Sequence, residues 1–279
     1  MNTAQNSTLP IIRRLLDSLP ADAPVTDVRI GTHWTVVVVE RQNGRRAGLA
    51  ATQVAIGPEH GRPSIRDAGN LLGKTGLELA QLALSESPAE RSLGFAAINA
   101  MLDDQWPSSM DQNAEEIILR MGKEKRVAIV GHFPFVAKVR HQAKECWVLE
   151  LNPGPEDVPA SRAPELIPQA DVVAITGMTL VNHTFDSVAS LCRPDAYVLV
   201  LGPSTPLSPV LFDYGVDVLS GTTVVDIPSI LRGVSQGATF RQLSGRRLVT
   251  MESPVRRQPQ TRDDYLGAEL RSSSGGSPP

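Results

Sequence analysis

The chain has few of the features that most readily reveal a function. There are only two cysteines, Cys146 and Cys192, both in apolar contexts and without C-x-x-C spacing. That excludes a disulfide scaffold or a zinc ribbon and leaves them as expected core residues. No apolar tract is long enough to span a bilayer, and Met1 to Pro10 is polar, so neither a membrane span nor a secretory signal is expected and a cytoplasmic location follows. A net charge of −3 supplies no electrostatic reason to expect nucleic acid or an anionic membrane. The basic pairs Arg45-Arg46, Arg246-Arg247 and Arg256-Arg257 are isolated and read as solvated. None of the histidines (His33, His60, His132, His141 and His183) forms H-x-H, H-x-x-x-H or H-E-x-x-H, and no G-x-S-x-G elbow is present.

What is present is a repeated grammar. Val127-Ala128-Ile129-Val130-Gly131 ends an apolar run in a small-residue turn. Comparable runs follow at Trp147-Val148-Leu149-Glu150, Asp171-Val172-Val173-Ala174-Ile175-Thr176-Gly177 and Tyr197-Val198-Leu199-Val200-Leu201-Gly202, with a fifth at Gly215-Val216-Asp217-Val218-Leu219-Ser220-Gly221. Short β-branched runs at this spacing predict parallel strands with crossover helices, and such sheets bind ligands beyond their carboxyl ends. Helices are expected at 134–143, 162–168, 182–192, 206–213 and 228–236, and an edge strand at 248–251.

The first half differs. A helix over residues 8–19 precedes three strands at 25–30, 33–40 and 46–52, then a loop at 57–69 and two helices at 74–85 and 88–102. Ser87 is the natural cap of the last, with Pro88 at its first position and Glu90 three residues on. Its run Gly94-Phe95-Ala96-Ala97-Ile98-Asn99-Ala100 implies close packing, within which the Asn99 amide needs backbone or ligand partners. Residues 103–110 read as the link between halves, residues 113–121 as a helix, and residues beyond 254 as a disordered tail.

The candidate chemistry collects at the strand ends. An acidic residue roughly 20 positions after the first glycine turn is where a Rossmann sheet holds ribose hydroxyls, and Glu150 lies there. Gly131-His132-Phe133-Pro134 lacks the later glycines of G-x-G-x-x-G, which disfavours a pyrophosphate. Thr176, Gly177, Thr179 and Asn182 open one turn and Ser204 and Thr205 another, each expected to start a helix and to converge on one crevice. His132, His183 and Glu150 are side chains that suit Zn, Fe, Ni or Cu if the fold brings them together.

These motifs, together with Glu150-Leu151-Asn152-Pro153, Asp157-Val158-Pro159-Ala160 and Gly48-Leu49-Ala50-Ala51-Thr52, resemble the family labelled "putative heavy-metal chelation". The resemblance spans residues 8–252, with Met178 standing where that family often has a third hydroxyl. It implies an α/β chain: an enolase N-terminal-like α+β domain at 8–108, then a Rossmann-like domain at 112–252, then the tail at 254–279. It further implies an interdomain site involving Asn99, His132, Glu150, Asn152, Thr176, Gly177, Thr179, Asn182, Ser204 and Thr205. A divalent transition metal would sit on Glu150 and His132. The expected function is metal homeostasis, through a metal ion or a metal-chelating small molecule. The alternative is an enzyme of small-molecule biosynthesis, metallophores included, acting on a nucleoside-containing or amino-acid substrate. The expected partners are a small molecule or metal and a second copy of the chain in a homodimer, with no nucleic acid and no membrane.

Overall fold

The computed structural model describes residues 9–53, 63–103, 109–110 and 113–254. The tail beyond 254, residues 57–62 of the loop at 57–69 with His60 among them, and residues 104–108 of the link at 103–110 lie outside the described residues. Helix α1 (Pro10–Asp17) buries Ile11, Ile12, Leu15 and Leu16. Strands β1 (Val25–Ile30), β2 (Trp34–Arg41) and β3 (Gly44–Ala51) form an antiparallel sheet in the order β1-β2-β3. The short helix α2 (Gly76–Ala80) leads to α3 (Pro88–Met101), whose start is capped by the Ser87 hydroxyl accepting from Glu90 N–H. Nearly every residue of α3 is buried. Gly48 is the reason β3 lies so close to it: a side chain there would meet the backbone of Ala96, Asn99 and Ala100.

The second sheet has the order β4-β11-β10-β9-β8-β5-β6-β7. Its members are β4 (Ser109–Met110), β5 (Arg126–Val130), β6 (Glu145–Glu150), β7 (Val158–Pro159), β8 (Val172–Thr176), β9 (Tyr197–Leu201), β10 (Val218–Val224) and β11 (Arg246–Glu252). The strands β5 to β10 are parallel, and their spatial order is the Rossmann order, so the topological switch lies between β5 and β8. Helices α4 (Ala114–Gly122), α5 (Val136–Gln142), α6 (Ala163–Leu166), α7 (Met178–Val181), α8 (Phe185–Ala189) and α9 (Ile227–Ser235) complete the unit. This is the two-unit α/β architecture that the sequence predicts.

Three local expectations change. β11 is not an edge strand, because the two residues of β4 pair with its outer side. The helix expected at 182–192 is broken at His183, whose φ of 65° no helix accommodates. No helix opens at Pro206; a 3-10 turn begins at Pro209. Prolines at 206 and 209 push Thr205 and Ser208 out of the helical region, which keeps this segment extended.

One hydrophobic core runs through both sheets. Ile11, Val37, Leu93, Phe95 and Ile98 belong to the same buried cluster as Val173, Ile175, Leu180, Phe185 and Leu219. A second contact, Val36 and Leu49 against Ile230, Val234 and Leu243, fastens the first sheet to α9.

Candidate functional site

At the switch point the chain closes the seat that a phosphate would use. Gly131 has φ of +102°, and a Cβ built on it would stand 3.0 Å from both Cβ and Cγ2 of Thr176. Phe133 stacks on Phe135 with centroids 5.2 Å apart, adding bulk to the same turn. The polar groups expected here as ligands serve the backbone. Thr176 Oγ1 accepts from Met178 N–H at 3.3 Å, and Thr179 Oγ1 donates to the Thr176 carbonyl at 2.7 Å. Asn182 Oδ1 accepts from the Thr184 amide at 3.2 Å and its hydroxyl at 2.6 Å. Such local bonds are what Thr and Asn make in turns.

Beyond β5 and β6, His132 Nδ1 lies 3.2 Å from Asp157 Oδ2. Asp157 also accepts from Gly154 N–H at 3.1 Å and from Arg140 Nη2 at 3.3 Å. Burial alone would raise the Asp157 carboxyl, but Gly154, His132 and Arg140 outweigh it and hold it below the ordinary carboxylate value. Glu150 ends β6 with one oxygen accepting from its neighbour's N–H, Leu151, at 3.2 Å, and Asn152 is exposed in the following turn. His183 does not join them. Its Nε2 is 2.7 Å from the Ala83 carbonyl in the first unit, so that nitrogen carries the proton. Burial lowers its pKa, opposed by the Ala83 bond and reinforced by Arg91, so the ring is neutral. Burial pushes the Cys146 and Cys192 thiols up to about 11, away from the thiolate a metal requires. Among the described residues, no group of three or more His, Cys, Asp or Glu is arranged to hold a metal ion.

The boundary between the two units is different. Asn99 Nδ2 donates to the Leu49 carbonyl at 2.9 Å and to the Ser204 carbonyl at 3.4 Å. Ser204 Oγ accepts from Ala51 N–H at 2.9 Å and lies 3.6 Å from the Met178 sulfur. Asn99 and Ser204 therefore position the boundary and have little left for a ligand. Beside them are buried polar atoms with no hydrogen-bond partner, among them Thr205 Oγ1, Gln53 Oε1 and Arg91 Nε. Thr205 Oγ1 stands over Gly177, where a side chain would displace it. Gln53 is anchored through its amide to Ser92 Oγ at 2.8 Å. Arg91 donates to the Glu86 carbonyl at 3.1 Å, and no described carboxylate pairs with its charge. Burial lowers its pKa below the ordinary arginine value but leaves it a cation, and a partly buried cation without a counter-charge invites an anion.

Thr205 is among the ligand candidates that the sequence offers; Gln53, Arg91, Asp157 and Arg140, which the structure adds as candidates, are not. The available signal for Arg91 is its place at the start of a helix that, apart from Glu90 and Asn99, is otherwise built of small and apolar residues.

Two family models, both described as putative heavy-metal chelation, match the chain over residues 12–102 and 113–252. The chain is 30% identical over 227 residues to an uncharacterized protein from Methanocaldococcus jannaschii, covering 78% of this chain and 85% of that one. A solved protein of unknown function from Desulfitobacterium hafniense superposes with a TM-score of 0.72 at 27% identity, covering 88% of this chain and 98% of that chain. One from Pyrococcus horikoshii gives 0.71 at 23% identity over 88% and 99%, a likeness of fold.

Proposed function

The chain belongs to the family described as putative heavy-metal chelation, and from that premise we propose that it binds an anionic metal-chelating small molecule, with its metal as cargo, at the boundary between its two units. One observation carries the reading: this boundary holds unpartnered polar atoms and an unpaired guanidinium, while no three-ligand cluster is found among the described residues. A bare transition-metal ion takes thiolate, imidazole and carboxylate groups. A guanidinium, an amide oxygen and a hydroxyl take the carboxylates and hydroxyls of an organic chelator. In this reading Arg91, Gln53 and Thr205 hold the ligand, and Asn99 and Ser204 set the spacing. No helix of the described residues is long and apolar enough to cross a membrane.

The test is a thermal-unfolding titration with Ni²⁺, Cu²⁺ and Zn²⁺ salts, each alone and each with citrate. Stabilisation by the citrate complexes, lost in Arg91→Gln, is the expected result. Stabilisation by the bare ions alone, or by neither form, overturns the reading.

A second reading rests on Glu150. In the Rossmann order it ends the second parallel strand, the position that accepts ribose hydroxyls, and its own neighbour's amide is the partner given to it. A nucleoside-containing substrate of a biosynthetic enzyme fits that carboxylate, whereas a dinucleotide does not fit the filled turn at Gly131. Stabilisation by S-adenosylmethionine, abolished in Glu150→Ala, is the expected sign; an unchanged response in that variant removes the basis for it.

A further inference from the structure

A second polar site lies at the same boundary, away from Arg91. β3 is the outer strand of its sheet, and its unpaired edge faces the second unit: Ala51 N–H donates to Ser204 and the Leu49 carbonyl accepts from Asn99. In an antiparallel pair the outward-facing backbone groups recur every second residue, so Ala47 and Arg45 continue that edge. There the sheets part around a cavity of ≈ 80 Å³ lined by Arg45, Arg46, Asn99, Asp103, Thr222 and Thr223, with Thr205 and Leu207 behind them. A single water needs roughly 10–15 Å³ on this measure, so the space suits several waters or one small anion.

The lining is cationic and has hydroxyls to spare. Arg46 Nη2 donates to the Leu102 carbonyl at 3.0 Å, which fixes its guanidinium beside the cavity. Among the described lining residues the one carboxylate is Asp103, which is engaged by Arg41 Nη1 at 2.9 Å. Arg45 has no ion-pair partner among the described residues and stands at the mouth; Arg45, Arg46 and Asp103 also line a wider surface groove, which gives the cavity an approach from solvent. Thr222 and Thr223 are each 9% exposed, yet Oγ1 of each is buried without a hydrogen-bond partner. Thr223 shares a face of β10 with Gly221, whose neighbours are Thr205 and Leu207, so its side chain stands on the side that backs the cavity. A buried hydroxyl left unbonded costs stability unless something occupies it.

We propose that this cavity is an oxyanion site, taking a phosphate or carboxylate group against Arg45, Arg46 and the Thr223 hydroxyl. The chemistry is distinct from metal coordination and does not depend on the ligand bound near Arg91. Charge-assisted bonds from a guanidinium and a hydroxyl hold an oxyanion, and Asn99 connects the site to the backbone of β3 and of the turn after β9.

The experiment is thermal unfolding of the full chain in sodium phosphate and in sodium acetate, each against sodium chloride at matched ionic strength. A saturable rise in Tm with either anion is expected, phosphate alone indicating a phosphoryl group and acetate a carboxylate. Arg45→Gln and Thr223→Val should each weaken the response by about 10-fold or more. Without added anion, Thr223→Val should melt no lower than the parent, because it removes a hydroxyl that has no protein partner, so a lost response there is not a folding defect. The proposal is overturned if neither anion acts beyond chloride, or if both variants respond like the parent. It is also overturned if Arg91→Gln abolishes the response while Arg45→Gln leaves it intact.

Discussion

The tips of β5 and β8 and the tips of β9 and β10 belong to one sheet edge, and both are rich in hydroxyl residues, yet they use them in opposite ways. At β5 and β8 the hydroxyls and amide expected as ligands bond locally: Thr176 to Met178, Thr179 to Thr176, Asn182 to Thr184. At β9 and β10, Thr205, Thr222 and Thr223 are just as buried and have nothing to bond to. The number of hydroxyls at a strand end therefore says little about binding. What matters is how many are left over once the backbone has been satisfied.

Substitutions can break or sharpen this contrast. The largest effect is expected where the two regions touch, at Gly177. A Cβ there meets both backbone and hydroxyl of Thr205, so Gly177→Ala should lower stability by about 3 kcal/mol in denaturant unfolding. A loss below about 1 kcal/mol would show that the two turns are not packed as described. The next step is a paired measurement. Thr179→Val removes a hydroxyl that donates to a carbonyl and should cost about 1 kcal/mol, whereas Thr205→Val removes an unpartnered one and should cost nothing or stabilise slightly. Equal losses in the two variants would erase the distinction between the regions.

The smallest effect is a pH slope. His183 is neutral in the folded chain with its pKa lowered by burial, so the unfolded chain binds the extra proton more readily. Its contribution to stability is therefore present above its ordinary value near 6.5 and is lost as pH falls below that value toward the folded pKa. The parent should lose stability between pH 7 and 5 more steeply than His183→Gln. Parallel slopes would place the titration elsewhere.

The elements of the fold were legible in the sequence because the signals are local. Trp34-Thr35-Val36-Val37-Val38-Val39 and Val127-Ala128-Ile129-Val130 specify strands by β-branched content, and Ser87-Pro88 specifies a helix start by cap chemistry. Even the corrections have local causes, in the prolines at 206 and 209 and the left-handed His183. The sites were much less legible. Arg45-Arg46 reads as an ordinary solvated pair until the edge of β3 is laid against β10, more than 170 positions later. Glu150, His132 and His183 look like a ligand set until the fold gives His132 to Asp157 and His183 to Ala83. Which polar atoms remain unsatisfied depends on tertiary contacts, and no spacing rule encodes that.

The buried cluster that runs from Ile11 and Phe95 through to Val173 and Leu219 has a mechanical consequence. Many two-lobed binding proteins capture their ligands by swinging about a hinge, with a small interface that opens at little cost. Here, parting the lobes would expose that shared interior to water, at about 25 cal/mol for each Å² of apolar surface. The chain should melt in a single cooperative transition, and a ligand of the proposed boundary site would enter a space that already has its final width. Under that proposal selection falls to the fixed spacing set by Asn99 and Ser204, in the manner of a gauge rather than a trap.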